Sequence, residues 1–297
     1  ALTEKLRRRE GPVLVSGLAD AAKGQFAEAL GDDRYPLKLL VTYDEVRARE
    51  LQEDLQSFGV DALLYPAKDL LFFAADVRSN ELSALRIDIR RRIAESGSGF
   101  VVTTIDGLMD KLEAPERFLR RCLRIAASGR LQLGETVKEL AALGYERTAE
   151  VDGRGQFSVR GGILDVFPVT GDAPVRIELW DDEIDSMRYF DAETQRSTEP
   201  AEEIRIYPAQ EELLSGSDSF LRYFSGDNSL LILDEPARLR ERAREVEREY
   251  LESAEGKAET QQAAEAIVTA DLLFADLQSS RAVCLAGLDT RLPDFKI

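Results

Sequence analysis

Apolar and polar positions fall into two textures along the 297 residues. As far as Leu112, apolar runs of strand length alternate with longer stretches of helical period. Val13–Val15 predicts a buried strand, and after a turn at Gly17 the run Ala21–Leu30 predicts a helix ended by Gly31. Leu37–Tyr43 predicts the next strand, followed by a helix over Asp44–Phe58 that turns Val46, Leu51 and Leu55 inward and stops at Gly59. Ala62–Tyr65 is a third strand, Asn80–Glu95 a charged helix and Phe100–Thr104 a fourth strand. This order implies a parallel sheet covered by helices.

From residue 113 the pattern shortens. A helix over Glu135–Leu143 precedes Gly144-Tyr145 and a series of short strands, with turn signals at Asp152-Gly153, Gly161-Gly162, Gly171-Asp172 and Asp181-Asp182. This predicts a small α+β domain on an antiparallel sheet. Phe157 and Val159 alternate with Gln156, Ser158 and Arg160, and Val175, Ile177 and Leu179 alternate with Arg176, Glu178 and Trp180. Each strand therefore has one wet side, which carries Arg160 on the first and Arg176 and Trp180 on the second. Ile184 and Met187 break the alternation and predict a bulge.

After Tyr207-Pro208 the α/β texture returns. Leu230–Leu233 is an apolar strand, Ala237–Leu251 a charged helix, Ala258–Leu273 a further helix and Ala282–Leu285 a last strand, while Leu214–Asp218 reads as a flexible linker. The expected layout is an α/β domain begun by 1–112, a small α+β domain at 113–207, and a second part at 208–297 that completes or packs on the first.

Composition narrows the chemistry. The longest apolar runs fall far below the roughly 20 residues of a membrane span. The N-terminus, with Glu4, Lys5 and Arg7–Arg9, lacks the apolar core of a signal peptide, so the cytoplasm is the expected location. Cys122 and Cys284 stand far apart without a CxxC pattern and read as reduced core cysteines. The absence of histidine removes the commonest metal ligand and general base, and no catalytic or metal-binding residue is expected. A net charge of −17 disfavours strong direct nucleic-acid binding. The basic clusters at Arg7–Arg9, Arg90–Arg92 and Arg117, Arg120, Arg121 and Arg124 read as solvated helix faces. Asp181, Asp182, Glu183 and Asp185 lack the spacing of a calcium loop and read as turn residues.

Two nucleotide-type motifs do not combine into a working pair. Gly17 to Lys23 has the spacing of a phosphate-binding loop between a strand and a helix, but Ala22 replaces the second glycine and Gly24 the metal-binding Ser or Thr. Leu230–Leu233 ends in Asp234-Glu235, the form of a magnesium-binding strand end. The reading is a vestigial nucleotide site of Gly17, Lys23, Asp234 and Glu235, with Lys23 a solvent-facing helix residue. The alternative is a divergent P-loop nucleotidase that uses Lys23 and Asp234/Glu235.

The succession of a degenerate phosphate loop, Tyr65-Pro66, Leu143–Arg147, Arg154–Pro168, Asp181–Arg188 and Tyr207–Ala209 resembles the N-terminal module of the bacterial transcription-repair coupling factor (Mfd) family, a module itself similar to the repair helicase UvrB. The resemblance covers essentially the whole chain and is most specific over Gly153–Arg188. It implies a degenerate P-loop, UvrB-like α/β domain with a parallel sheet, interrupted by a small α+β domain that binds UvrA and so recruits it to stalled RNA polymerase. The matching UvrA-binding residues are Arg160, Arg176 and Trp180, the last standing where relatives have phenylalanine. On this reading both arginines bond carboxylates of UvrA and Trp180 fills an apolar pocket. The competing reading pairs the arginines with Glu178 or Asp165 and packs Trp180 under a loop or against the helix near Leu140. The family further implies no cofactor for this stretch, since ATP serves motor domains outside it, and an autoinhibitory contact with other domains of the full-length factor. The chain lacks the intact phosphate loop and the DNA-gripping hairpin of UvrB-type helicases, and its passage from Glu211 to Phe220 is shorter than the family's usual connection.

Overall fold

Strands without a polar side belong in the interior of a parallel sheet covered on both faces. Ser229–Asp234 is such a strand, buried at all six positions. The computed structural model describes residues 5–6, 12–30, 34–68, 76–211, 218–254 and 267–288. Within it the chain forms two compact units, one of 1–75, 89–116 and 212–297 and the other of 76–88 and 117–211.

The first unit is built on six parallel strands. These are β1 (Val13–Ser16), β2 (Leu37–Thr42), β3 (Ala62–Tyr65), β4 (Gly99–Thr104), and the late strands Ser229–Asp234 and Ala282–Ala286. The order is β1, Ala282–Ala286, Ser229–Asp234, β2, β4, β3. The two late strands thus fill the middle of the sheet. Side chains of successive residues enter opposite layers: Leu39, Val41, Leu231, Leu233 and Cys284 join one core, and Leu40, Leu230, Ile232, Val283 and Leu285 the other. Helices α1 (Asp20–Ala29) and α2 (Glu45–Ser57) lie on the second of these layers.

Several expectations need correction here. Val46 is 69% exposed, and Ala48 takes its inward position beside Leu51 and Leu55, because the period from Leu55 runs through 51 and 48. The helix expected over Ala258–Leu273 lies outside the described residues at 258–266. Residues 267–269 are not helical, and the helix runs Ala270–Ser279, capped by Thr269, whose Oγ1 accepts from Leu272 N. The expected linker lies outside the described residues at 214–217, and Asp218 bridges to Leu112. Arg7–Arg9 also lie outside them. Arg90 is not on a solvated face: it is buried and donates from Nε to Tyr223 Oη at 2.9 Å. No helix among the described residues is long and apolar enough to cross a membrane.

The second unit takes in the first half of helix α3 (Asp76–Ser96), where Ala84 and Ile87 are buried in its core, so the division within α3 departs from a first segment that runs unbroken to 112. The unit's strands are β5 (Leu123–Ala126), β6 (Glu146–Arg147), β7 (Gln156–Arg160), β8 (Ile163–Val166), β9 (Val175–Trp180), β10 (Glu183–Phe190), β11 (Ser197–Pro200) and β12 (Glu203–Ile206). Six form a sheet in the order β11-β10-β9-β8-β7-β6, antiparallel apart from the β6–β7 pair, and β5 pairs with β12 separately. The predicted bulge lies between Ile184 and Ser186. Leu140, Phe157, Leu164, Val175, Ile177 and Met187 form the core on one face, which leaves the other face of β7 to β10 to be accounted for.

Candidate functional site

Register decides what meets on that outer face. Asp165 stands opposite Ser158 on one side and Arg176 on the other, and one step along, Ile163 stands between Arg160 and Glu178. Asp165 is 1% exposed and receives both arginines. Arg176 donates to it through a fork, Nε to Oδ1 at 2.8 Å and Nη2 to Oδ2 at 2.9 Å, and Arg160 donates from Nη2 to Oδ2 at 2.9 Å. These bonds hold the Arg176 guanidinium above its ordinary pKa range, so it stays charged. Its other side lies over the Phe190 ring at 4.6 Å, and Nη1 donates to Gln195 O at 3.3 Å. Gln195 holds the left-handed conformation at φ 59, and its Nε2 donates to Val151 O and Ala192 O.

The competing expectation for the arginines therefore describes their resting contacts, with Asp165 as the acid. Arg176 retains only 17% side-chain exposure, whereas Arg160 keeps 51%. Trp180 is the opposite case. Among the described residues it is 80% exposed, so it is neither covered by a loop nor packed against the helix near Leu140. It ends β9 directly before a two-residue hairpin in which Asp181 takes φ 59, and it pairs with Glu183 across the turn. The hairpin is braced from outside, since Leu131 N donates to Asp182 O and Arg130 pairs with Glu183 at 2.6 Å. A second close approach lies beside it: a Cβ on Gly162 would stand 2.9 Å from Leu179 O, where Leu179 N also donates to Gly162 O. The indole thus projects from a firm strand end.

The four residues of the nucleotide-type motifs present a different picture. Gly17 takes φ 81 in the loop after β1. Lys23 is fully buried, not solvent-facing, and its Nζ lies 2.7 Å from Asp234 Oδ1, 2.6 Å from Glu235 Oε1 and 2.9 Å from Asp20 Oδ1. Burial works to lower its pKa, but the hydrogen bonds to Asp234, Glu235 and Asp20 outweigh it and raise the lysine above its ordinary range. Asp234 Oδ2 accepts from Thr42 Oγ1 and lies 3.5 Å from Arg47 Nε, and Glu235 Oε1 accepts from Gly287 N. All three ammonium protons are thus directed at carboxylates of this chain. Gly24 is packed so closely on α2 that a Cβ there would stand 2.6 Å from Asp54 Cβ. The position that a phosphate loop gives to Ser or Thr is here a helix-to-helix contact.

Residues 123–211, which contain β5 to β12, match the UvrB interaction domain family model. This stretch is similar to UvrB interaction domains. The chain around it is similar to transcription-repair-coupling factors, with 34% identity to that of Bacillus subtilis (strain 168) over 200 residues, 67% of this chain and 17% of the relative. Identity is also 34% to the factor of Staphylococcus aureus (strain USA300), over 206 residues, 68% of this chain and 17% of the relative. The chain is therefore homologous to a module of the coupling factors and spans about a sixth of their length.

Within the matched stretch lie Arg160, Arg176 and Trp180, gathered on one face, while Lys23, Asp234 and Glu235 meet outside it in the first unit. Sequence reading considered Asp165 only as a competitor for the arginines and did not single out Gln195. The one legible sign was the even spacing of Asp165 within β8, which sets it on the wet face among apolar neighbours.

Proposed function

We propose that the chain is a non-catalytic, UvrB-like adaptor module that docks UvrA on the outer face of its UvrB interaction domain. In a transcription-repair coupling factor this contact would bring UvrA to stalled RNA polymerase. The observation that carries the reading is Trp180, the single tryptophan of the chain, held 80% exposed at a braced hairpin within the matched domain. Large aromatics and arginines are the residues that most often dominate an interface, and burial of an exposed indole is a gain available only to a complex. Arg160, half exposed beside it on the same face, supplies donors for a carboxylate of UvrA. The absence of catalysis is supported by Lys23, whose protons are committed to Asp20, Asp234 and Glu235.

A binding series tests this. Trp180→Ala is expected to weaken UvrA binding about thirtyfold, the equivalent of about 2 kcal/mol, and Arg160→Glu by about tenfold or more. Trp180 is exposed, so the thermal midpoint of its variant should stay at the wild-type value, whereas Arg160→Glu also gives up a bond to the buried Asp165 and is compared at a temperature where it is folded. UvrA affinity equal to wild type in both folded variants would refute the assignment. Arg176→Ala is a poor probe, because it strips the fork from a buried carboxylate and mixes stability with binding.

A further inference from the structure

Arg160, Arg176 and Trp180 share one face, but their surroundings give them different work. Arg176 spends its fork on Asp165, faces Phe190 and is clamped by Gln195, so little of it is left to meet another molecule. Arg160 spends one N–H on the same carboxylate and turns the rest outward. Asp165 is the shared acceptor: its Oδ2 takes one bond from each arginine, and its Oδ1 takes the third. A lone, half-exposed arginine samples many rotamers, and ordering it on binding costs conformational entropy. One already tethered to a buried carboxylate has lost part of that freedom before the partner arrives.

We infer that Asp165 and Arg176 are positioning residues of the docking face, and that the buried carboxylate, fixed by the Arg176 fork, orients the guanidinium of Arg160 toward a carboxylate of the partner. Arg176 then acts on binding through Asp165 and not by contact. Gln195 belongs to the same assembly, since a non-glycine residue held at φ 59 costs free energy that the surrounding contacts must offset, and its side chain anchors the Arg176 clamp to Val151. This inference rests on the docking reading above for its partner, though its geometry can be tested without one.

The test has two arms on the 297-residue chain. In the first, side-chain NMR of the arginine Nε–H groups is recorded without UvrA in wild type, Asp165→Asn and Arg176→Lys. An ordered Arg160 resonance in wild type, lost in Asp165→Asn and weakened in Arg176→Lys, is the expected result. An Arg160 side chain equally mobile in all three overturns the inference, whether or not UvrA binds. In the second, a double-mutant cycle with UvrA compares Arg160→Ala in the wild-type and Asp165→Asn backgrounds. Arg160→Ala should weaken binding about tenfold in wild type and less than about twofold when Asp165 is gone. Additive losses would mean that Asp165 serves only the stability of the sheet. Arg176→Lys keeps the charge and serves the same cycle if Asp165→Asn does not fold. Wild-type protein that fails to bind UvrA would refute the docking reading, with the NMR arm still deciding the positioning.

Discussion

At the scale of single residues, Lys23 is the most informative. Its partner Asp234 lies 211 residues away in the chain and reaches it only because Ser229–Asp234 enters the same sheet as β1. Removal of the lysine from this buried cluster leaves Asp234 with only the more distant Arg47 as a cation, a loss of about 3 kcal/mol. Lys23→Met should therefore unfold at markedly lower urea than wild type. The pH dependence has a definite sign. The folded-state pKa of Lys23 lies above its ordinary 10.5, so its stabilisation is complete below 10.5 and is lost as pH rises through the higher folded value. The stability gap between wild type and Lys23→Met should thus be constant from neutral pH to 10.5 and close above it. A gap absent at neutral pH would mean the ion cluster contributes nothing to folding.

Elements were legible wherever a local pattern decided them. The alternation in Val175–Trp180 fixed which side of β9 is wet, and the break between Ile184 and Met187 marked the bulge. The start of the helix at Ala270 was not legible, because its N-cap at Thr269 is a weak local signal. Long-range pairing was legible only coarsely: the last part of the chain was expected to complete or pack on the first sheet and Asp165 to compete for the arginines, but no period shows that the two late strands enter the middle of that sheet, that Lys23 is buried, or that Asp165 receives both arginines at once. The same limit applies to Gly24, which reads in sequence as a lost Ser or Thr and in space as the contact of α1 with α2. Gly24→Ser, which restores the residue type of a phosphate loop, should lower stability by about 1–3 kcal/mol through overpacking against Asp54. A variant with the wild-type urea midpoint would show that the two helices can part without cost.

At the scale of the whole molecule, the two units divide the roles. The first carries a parallel sheet in which Lys23 is locked to Asp234 and Glu235, and the second carries the stretch similar to UvrB interaction domains, with Trp180 left in water. A net charge of −17 disfavours phosphate binding over a broad area, which fits the proposed docking to another protein. Trp180 is also a natural reporter, being the only tryptophan present. The most direct test of the account is therefore fluorine NMR of protein labelled with 5-fluorotryptophan and titrated with unlabelled UvrA. The account predicts a single resonance, water-exposed at the start, that shifts or broadens saturably as UvrA is added. UvrA binding that leaves this resonance unmoved, or no binding at all, would contradict it.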